Sequence, residues 1–440
     1  MKFYIERLGC PKNDVDADYM AGHLISEGHE QVPDADQAEA VIVNTCGFIL
    51  PAKQESIGEL LRFGELRKQG KLKRLIAAGC LSQLHGDELL SGMPELDFAC
   101  GLGALDDITH ALEDNAERSD KTLKVATRDL AYLSAKNRYI DTSTPYAYLK
   151  ISDGCDRKCS YCIIPKMRGS FRSRPIGEIV AEARLLARSG KRELILVSQE
   201  ATLYGCETGQ ILLLPLLDEL QKIEGIAWIR LVYLHPQALD SSLIDYLGNS
   251  SKVLQYYDLP LQHISDGVLG RMRRQVRRAK IERILTEIRD KQPESIIRTT
   301  FIVGFPGETE AQFAELYDFA AEFKFDRMGA FAYSREEGSS ASIMPDQIPE
   351  ADKTARLQAL TELQTDIVSA RNRELIGQQM AVLIDSAANG RPASGRTYGD
   401  CPDIDRVVSV YENQPRLKTG DMCQALIESS DGHDLRARAL

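Results

Sequence analysis

The sequence predicts an α/β chain in three parts: an open parallel sheet domain over residues 1–130, a central partial (β/α)6 barrel over 145–376 and a small all-β barrel over 377–440. Three observations carry that expectation. Short apolar or β-branched runs alternate with helix-compatible stretches at the start, as in parallel strands joined by crossover helices. The alternation resumes after "DTSTP" and repeats six times, short of the eight units of a closed barrel. The remainder is divided by glycines and turn residues into short strands.

In chain order, "KFYIERLG", "AVIVNT" and "RLIAAG" are the first strands, with "VDADYMAGHLISEG" a helix between them. Each strand runs directly into a cysteine: Cys10, Cys46 and Cys80. Ligands of open parallel sheets bind beyond the carboxyl ends of strands, so these three are expected to converge. From Lys121 to Thr144 the pattern weakens. The barrel strands are then "YAYLKIS", "ELILVSQ", "WIRLVYL", "YYDLPLQ", "IRTTFIVG" and "MGAFAYS", with helices such as "IGEIVAEARLLARSG" and "EAQFAELYDFAAEF" between them. A long helix over 350–376 leads through Gly377 into the last part.

A chain of 440 residues exceeds one typical domain. Its net charge of −11 argues against indiscriminate nucleic-acid binding over the whole surface, while leaving local basic patches open. No run of about 18 apolar residues predicts a membrane span. The start "MKFYIERLGC" lacks a secretory h-region, so the expectation is a cytoplasmic protein whose thiols stay reduced. Ten cysteines in that setting favour metal or catalytic roles over disulfides.

"GCDRKCSYCIIP" packs Cys155, Cys159 and Cys162 behind the first barrel strand. Structural zinc takes four ligands and a disulfide takes two; three thiolates leave one coordination position open. The alternative is a zinc site completed by a remote ligand. The C-x-x-x-C-x-x-C spacing on a partial barrel resembles the radical S-adenosylmethionine (SAM) enzymes. That resemblance implies a [4Fe–4S] cluster on the three cysteines, with SAM on the open iron and Tyr161 near the adenine. Reduction of such a cluster cleaves SAM to a 5′-deoxyadenosyl radical. "LGCPKN", "NTCGFI" and "AAGC" resemble the amino-terminal domain of methylthiotransferases, which implies a second [4Fe–4S] cluster on Cys10, Cys46 and Cys80.

"RGSFRSRP", "YLHP", "DLPLQHISD" and "TTFIVGFPGETE" are similar to the RimO-type branch. This implies methylthiolation of an aspartate β-carbon in the twelfth small-subunit ribosomal protein, met free or on the ribosome. The MiaB-type branch, acting on tRNA adenosine, is the alternative. It has glutamine where Pro11 stands and an arginine soon after its second cysteine, where this chain reads "GFILPAK". "SQEATLYG" departs from the branch's usual aspartate and paired threonines, although Glu200 keeps a carboxylate. A third reading, from another class, is a non-catalytic iron–sulfur or zinc scaffold.

Gln199 and Glu200, at a strand end, are candidates for the cofactor's amino group or ribose, and Gly304 for close backbone approach to it. His235 and His263 read more readily as structural histidines. Lys166, Arg168, Arg172 and Arg174 are candidates for binding a carboxylate or phosphate. "RMRRQVRRAK" reads as a solvated helix face, or otherwise as a contact to ribosomal RNA. Cys100, Cys206, Cys401 and Cys423 have no ligand spacing and read as small buried residues. The last part resembles a TRAM domain. From Gln378 its cations are Arg391, Arg396, Arg406, Arg416, Lys418, Arg436 and Arg438, against nine acids. That balance is poor for tRNA but suits a basic ribosomal protein, so no direct tRNA binding is expected. A reductase or flavodoxin-type electron donor is expected, and the chain is expected to be a monomer.

Overall fold

The computed structural model describes residues 1–102, 107–112, 122–124, 133, 138–387, 392–411 and 417–440. The expected boundary at residue 130, and Arg391, Glu412 and Arg416, lie outside the described residues. The first sheet is all parallel and runs β2-β1-β3-β4-β5-β6, with β1 Lys2–Arg7, β2 Glu30–Gln31, β3 Ala40–Thr45, β4 Arg74–Gly79, β5 Phe98–Cys100 and β6 Thr122–Lys124. Sequence reading found β1, β3 and β4; the other three are two or three residues long, too short for a periodic signal. Every residue of β3 is buried, which is why "AVIVNT" is apolar without alternation. One face of the sheet packs on Leu60 and Phe63 of helix Leu50–Lys68. Through helix Pro11–Ser26, Val15, Tyr19 and Met20 share a core with Ile195, Val197 and Tyr256 of the central domain.

The central strands are β7 Tyr146–Lys150, β10 Glu193–Val197 and β11 Trp228–Leu231 in one parallel sheet, and β12 Tyr256–Gln262, β13 Ile296–Val303 and β14 Arg327–Ala332 in another. A bridge from Ile229 to Val253 joins the two halves, giving the six-stranded partial barrel. Between β7 and β10, β8 (Ser152–Asp153) and β9 (Arg172–Ser173) form a short antiparallel ribbon beside the triple-cysteine loop. Helix Glu350–Glu374 then leads to a closed five-stranded barrel of β15 Gln379–Ser386, β16 Ala393–Arg396, β17 Val408–Tyr411, β18 Met422–Ser430 and β19 Leu435–Ala439.

A buried polar junction joins the first domain to the second. Lys150 on β7 is fully buried and pairs with Asp16 of helix Pro11–Ser26 and with Asp153, 3.4 Å away. Arg168 pairs with the same two carboxylates, at 3.2 Å to Asp16 and 2.9 Å to Asp153. Two cations meet two anions, so the desolvated charges balance. The neighbouring guanidinium and ammonium hold the Asp153 carboxyl well below the usual carboxylate range.

A second junction seats the small barrel. Arg396 reaches Glu193 on β10 at 2.7 Å, and the other oxygen of Glu193 accepts from Arg230 at 2.8 Å. Asp400, fully buried, pairs with Arg327 of β14 at 2.6 Å and with Arg406 at 3.0 Å. Those guanidinium groups pull the Asp400 carboxyl down to about 2. Asp400→Asn leaves two buried guanidinium groups undercompensated and is expected to cost about 3–5 kcal/mol, read from urea unfolding at pH 7. Because the folded value is depressed, the stabilisation is complete above the ordinary value near 3.8 and drains away as pH falls from there toward 2. In a pH series of melting temperatures, the wild type should therefore lose its advantage over Asp400→Asn only in that acid window.

Candidate functional site: two trios of thiols at one rim

Because β1, β3 and β4 are adjacent, their carboxyl ends place Cys10, Cys46 and Cys80 side by side. Cys10 caps helix Pro11–Ser26, and Cys80 opens helix Cys80–Gly92. Asn13 stitches the ends together. Its Nδ2 donates to the carbonyls of Leu8 (3.0 Å) and Thr45 (3.1 Å), and its Oδ1 lies 3.5 Å from the Cys80 Sγ. Ser56 holds Cys46 by accepting from its N–H at 2.9 Å and donating to its carbonyl at 3.1 Å. Gly79, just before Cys80, has φ +92° and ψ −152°, a region open essentially to glycine alone. A Cβ there would lie 2.5 Å from Asn44 Oδ1 and 2.7 Å from the Thr45 carbonyl.

The second trio follows β8. Gly154 has φ +80°, and a Cβ on it would run into the Ser170 carbonyl, so the chain turns into Cys155 only with glycine there. The Cys155 N–H donates to the Gly169 carbonyl at 3.1 Å, Cys162 N–H to the Cys159 carbonyl at 3.2 Å, and Ser160 N–H to the Met272 carbonyl at 3.0 Å. Each trio has an arginine on one sulfur. Arg168 Nη2 lies 3.3 Å from Cys80 Sγ, and Arg274 Nη1 lies 3.8 Å from Cys159 Sγ and 3.4 Å from the Tyr161 hydroxyl. Burial pushes the thiols up: Cys46 is raised, Cys155 reaches about 11, and Cys80 and Cys162 about 12. Such thiols ionise when a metal centre takes the proton's place.

The other expected residues line the same ends of the barrel strands. Gln199 Nε2 donates to Asp153 at 2.8 Å, while its Oε1 is buried with no hydrogen-bond partner among the described residues. Glu200 pairs with Arg157 and accepts from the Thr202 hydroxyl. His235 and His263 each accept a backbone N–H at Nδ1, from Gln237 (3.1 Å) and Ser265 (3.0 Å), which places the remaining proton on Nε2. Neither Nε2 has a hydrogen-bond partner among the described residues. Burial and the nearby cations Arg274, Arg157 and Lys280 keep His235 neutral. Gly304, at φ +69° beyond β13, leaves room for the stem of Lys353.

The basic run is not a single helix, and it is solvated only in part: Arg273 and Arg277 are exposed while Arg274 is buried. Helix Asp266–Arg271 ends inside it, and the next helix begins at Arg278. Between them Arg273 and Gln275 have positive φ, which turns Arg274 into the protein beside Cys159. Charge spacing cannot show this, because the inward turn follows from left-handed backbone at two non-glycine residues. Of the four cations after the triple-cysteine loop, Arg168 and Arg174 are buried in ion pairs; Arg174 meets Glu182 at 2.7 Å. Cys100 and Cys401 are buried, as expected, and Cys206 and Cys423 are partly exposed.

Three family models match: the uncharacterized protein family UPF0004 over residues 2–101, the radical SAM superfamily over 149–320 and the TRAM domain over 376–440. The fold resembles the radical SAM methyltransferase TsrM from Kitasatospora setae (TM-score 0.54, 14% identity, covering 75% of this chain and 72% of that one). It also resembles the cobalamin-dependent SAM radical enzyme OxsB (TM-score 0.54, 12% identity, covering 82% and 61%). Fold and site together define an enzyme of the radical SAM methylthiotransferase class. The chain is 42% identical to the ribosomal protein uS12 methylthiotransferase RimO of Bdellovibrio bacteriovorus (99% of this chain, 96% of that protein) and 41% identical to that of Clostridioides difficile (100% and 99%). It belongs to the RimO family.

The donor set fits the group this class carries. Each trio offers three sulfurs, none of them in a disulfide. Among the described residues no three His, Cys, Asp or Glu side chains converge tightly enough for one metal ion, as tetrahedral zinc requires; on a cubane each thiolate meets its own iron. Gly79→Ala is expected to cost at least about 1–3 kcal/mol from backbone strain alone. Thermal melting should show it, whereas Gly70→Ala at an open surface turn is the control for positive φ without contact.

Proposed function

We propose that this enzyme places a methylthio group on the β-carbon of an aspartate of ribosomal protein uS12, using two [4Fe–4S] clusters. Cys10, Cys46 and Cys80 in a domain over 1–130 would hold one. Cys155, Cys159 and Cys162 in a domain over 145–376 would hold the other, with residues 377–440 as a docking module. The observation that carries this reading is Arg168. One of its nitrogens is 3.3 Å from Cys80 Sγ and another 2.9 Å from Asp153, whose second oxygen accepts from Gly154 N–H, directly before Cys155. Arg168 and Asp153 together thus link a sulfur of the first trio to the turn that enters the second.

When bound, SAM and the clusters supply the radical and the methylthio group. The protein binds, orients and shields. Gln199 Oε1 is an unsatisfied buried acceptor at the barrel rim, suited to the cofactor's ammonium. Glu200, fixed by Arg157 and Thr202, is suited to ribose hydroxyls, Tyr161 to the adenine, and Gly304 shapes the neighbouring strand end. A reductase or flavodoxin-type protein delivers electrons, and uS12 is met free or on the ribosome. The small barrel favours a basic protein partner over tRNA: Arg396 and Arg406 face inward in ion pairs and are withheld from a nucleic-acid surface. The enzyme works in the cytoplasm as a monomer on this reading; no helix among the described residues is long and apolar enough to cross a membrane.

The test is reconstitution with iron and sulfide followed by iron and sulfide analysis. Cys46→Ala and Cys159→Ala should each lower the content by about four irons per chain, leaving the other cluster in place. With SAM, reductant and a sulfide source, mass spectrometry should find the methylthio mass gain on one aspartate of uS12 and none on unmodified tRNA. Gain on tRNA alone would overturn the choice of substrate.

A further inference from the structure

Buried cations need counter-ions, and most of those among the described residues have them. Lys150 and Arg168 share Asp16 and Asp153, Arg174 has Glu182, Arg230 and Arg396 share Glu193, and Arg327 and Arg406 share Asp400. Lys12, like Lys191 and Arg274, has no carboxylate partner among the described residues, and it lies beside the first trio. It is 6% exposed and two residues from Cys10. Its Nζ donates to the Ser198 carbonyl at 3.2 Å and rests 3.6 Å from the centre of the Tyr233 ring. Among the described residues no carboxylate pairs with it, and the adjacent charges at Asp16 and Asp153 are already matched one for one by Lys150 and Arg168. An ammonium with three donors therefore has one carbonyl and the Tyr233 side chain, both uncharged.

Its place is as telling as its lack of an anion. Cys10 ties Lys12 to the first trio, while Ser198 begins the Ser198–Gln199–Glu200 turn assigned above to the cofactor beside the second. Tyr233 holds a left-handed backbone at φ +61°, uncommon for an aromatic residue, and its N–H is anchored to Asp258 at 2.9 Å. Strain of this kind persists where the surroundings enforce it and gathers at functional sites. Here it sets the ring under the ammonium.

We propose that Lys12 binds the carboxylate of the aspartate that the enzyme modifies. This rests on the reading that an aspartate enters between the two trios, and it supplies what that reading lacks, a cation for the incoming charge. The remaining N–H groups of Nζ donate to the carboxylate. That contact presents the neighbouring β-carbon to the site and keeps the carboxylate occupied, away from any open iron. A carboxylate is thereby distinguished from a neutral amide of the same shape, which gains no charge-assisted bond.

The test compares uS12 with a uS12 variant carrying asparagine at the target aspartate, as substrates of wild-type enzyme and of Lys12→Met, nearly the same size without the charge. Wild type should favour the aspartate by about 10- to 100-fold in kcat/KM, the worth of a hydrogen bond to a charged group. In Lys12→Met that ratio should collapse toward unity, with the loss for native uS12 appearing mainly in KM and iron per chain unchanged. An undiminished ratio in iron-replete Lys12→Met overturns the proposal and leaves the clusters as the only counter-ion. Should Lys12→Met lose iron, Lys12→Gln is read in the same way; loss of iron in both assigns Lys12 to cluster assembly and also overturns it. Wild-type enzyme inactive on native uS12 would refute instead the substrate reading on which the proposal stands.

Discussion

The two-by-two ion network of Lys150, Arg168, Asp16 and Asp153 is the constraint on which the rest of the structure depends. Its members are almost completely withdrawn from water, so each charge is tolerable only while its partners hold position. Asp16 belongs to the first domain and the other three to the second. The two domains can therefore meet in one relative placement, since any slip would strand a bare charge. That placement puts Cys80 against the guanidinium of Arg168 and, through Asp153, fixes the turn into Cys155.

Helix Pro11–Ser26 is the physical carrier of this arrangement. Cys10 caps it, Asn13 binds the ends of β1 and β3, Asp16 enters the ion network, and Lys12 reaches the Ser198 turn. Residues 12, 13 and 16 fall on neighbouring positions of one helical face, so a single rigid element addresses the thiols and the barrel rim together. Glycine does complementary work at the cysteines. Gly9, Gly79 and Gly154 all have positive φ and each directly precedes a cysteine, where the chain turns out of the strand end. Gly205 before Cys206 also has positive φ outside either trio, so the Gly-Cys pair marks a turn and not by itself a ligand.

The small barrel is held by the same physics used differently. Arg396 reaches Glu193 of the central domain, while Arg406 pairs with Asp400 of the same module, which in turn binds Arg327 of β14. The charge that a sequence tally assigns to its surface is partly internal, and on both signs: Arg396 and Arg406 are buried, and so is Asp400.

The sequence by itself determined the elements and the two sets of thiols. Hydrophobic period and turn residues mark the six barrel strands and the three strands that end in Cys10, Cys46 and Cys80, because burial on a sheet imposes that pattern locally. The spacing of Cys155, Cys159 and Cys162 is likewise a local property. Tertiary structure alone decided which charges are buried and with whom. Arg274 reads as one of six cations on a solvated face until two left-handed residues turn it onto Cys159, and Lys12 reads as an ordinary lysine of a first helical turn. Pairing depends on groups far apart in the chain, 186 residues between Lys12 and Ser198 and 203 between Arg396 and Glu193, and no periodicity within a segment records such a distance.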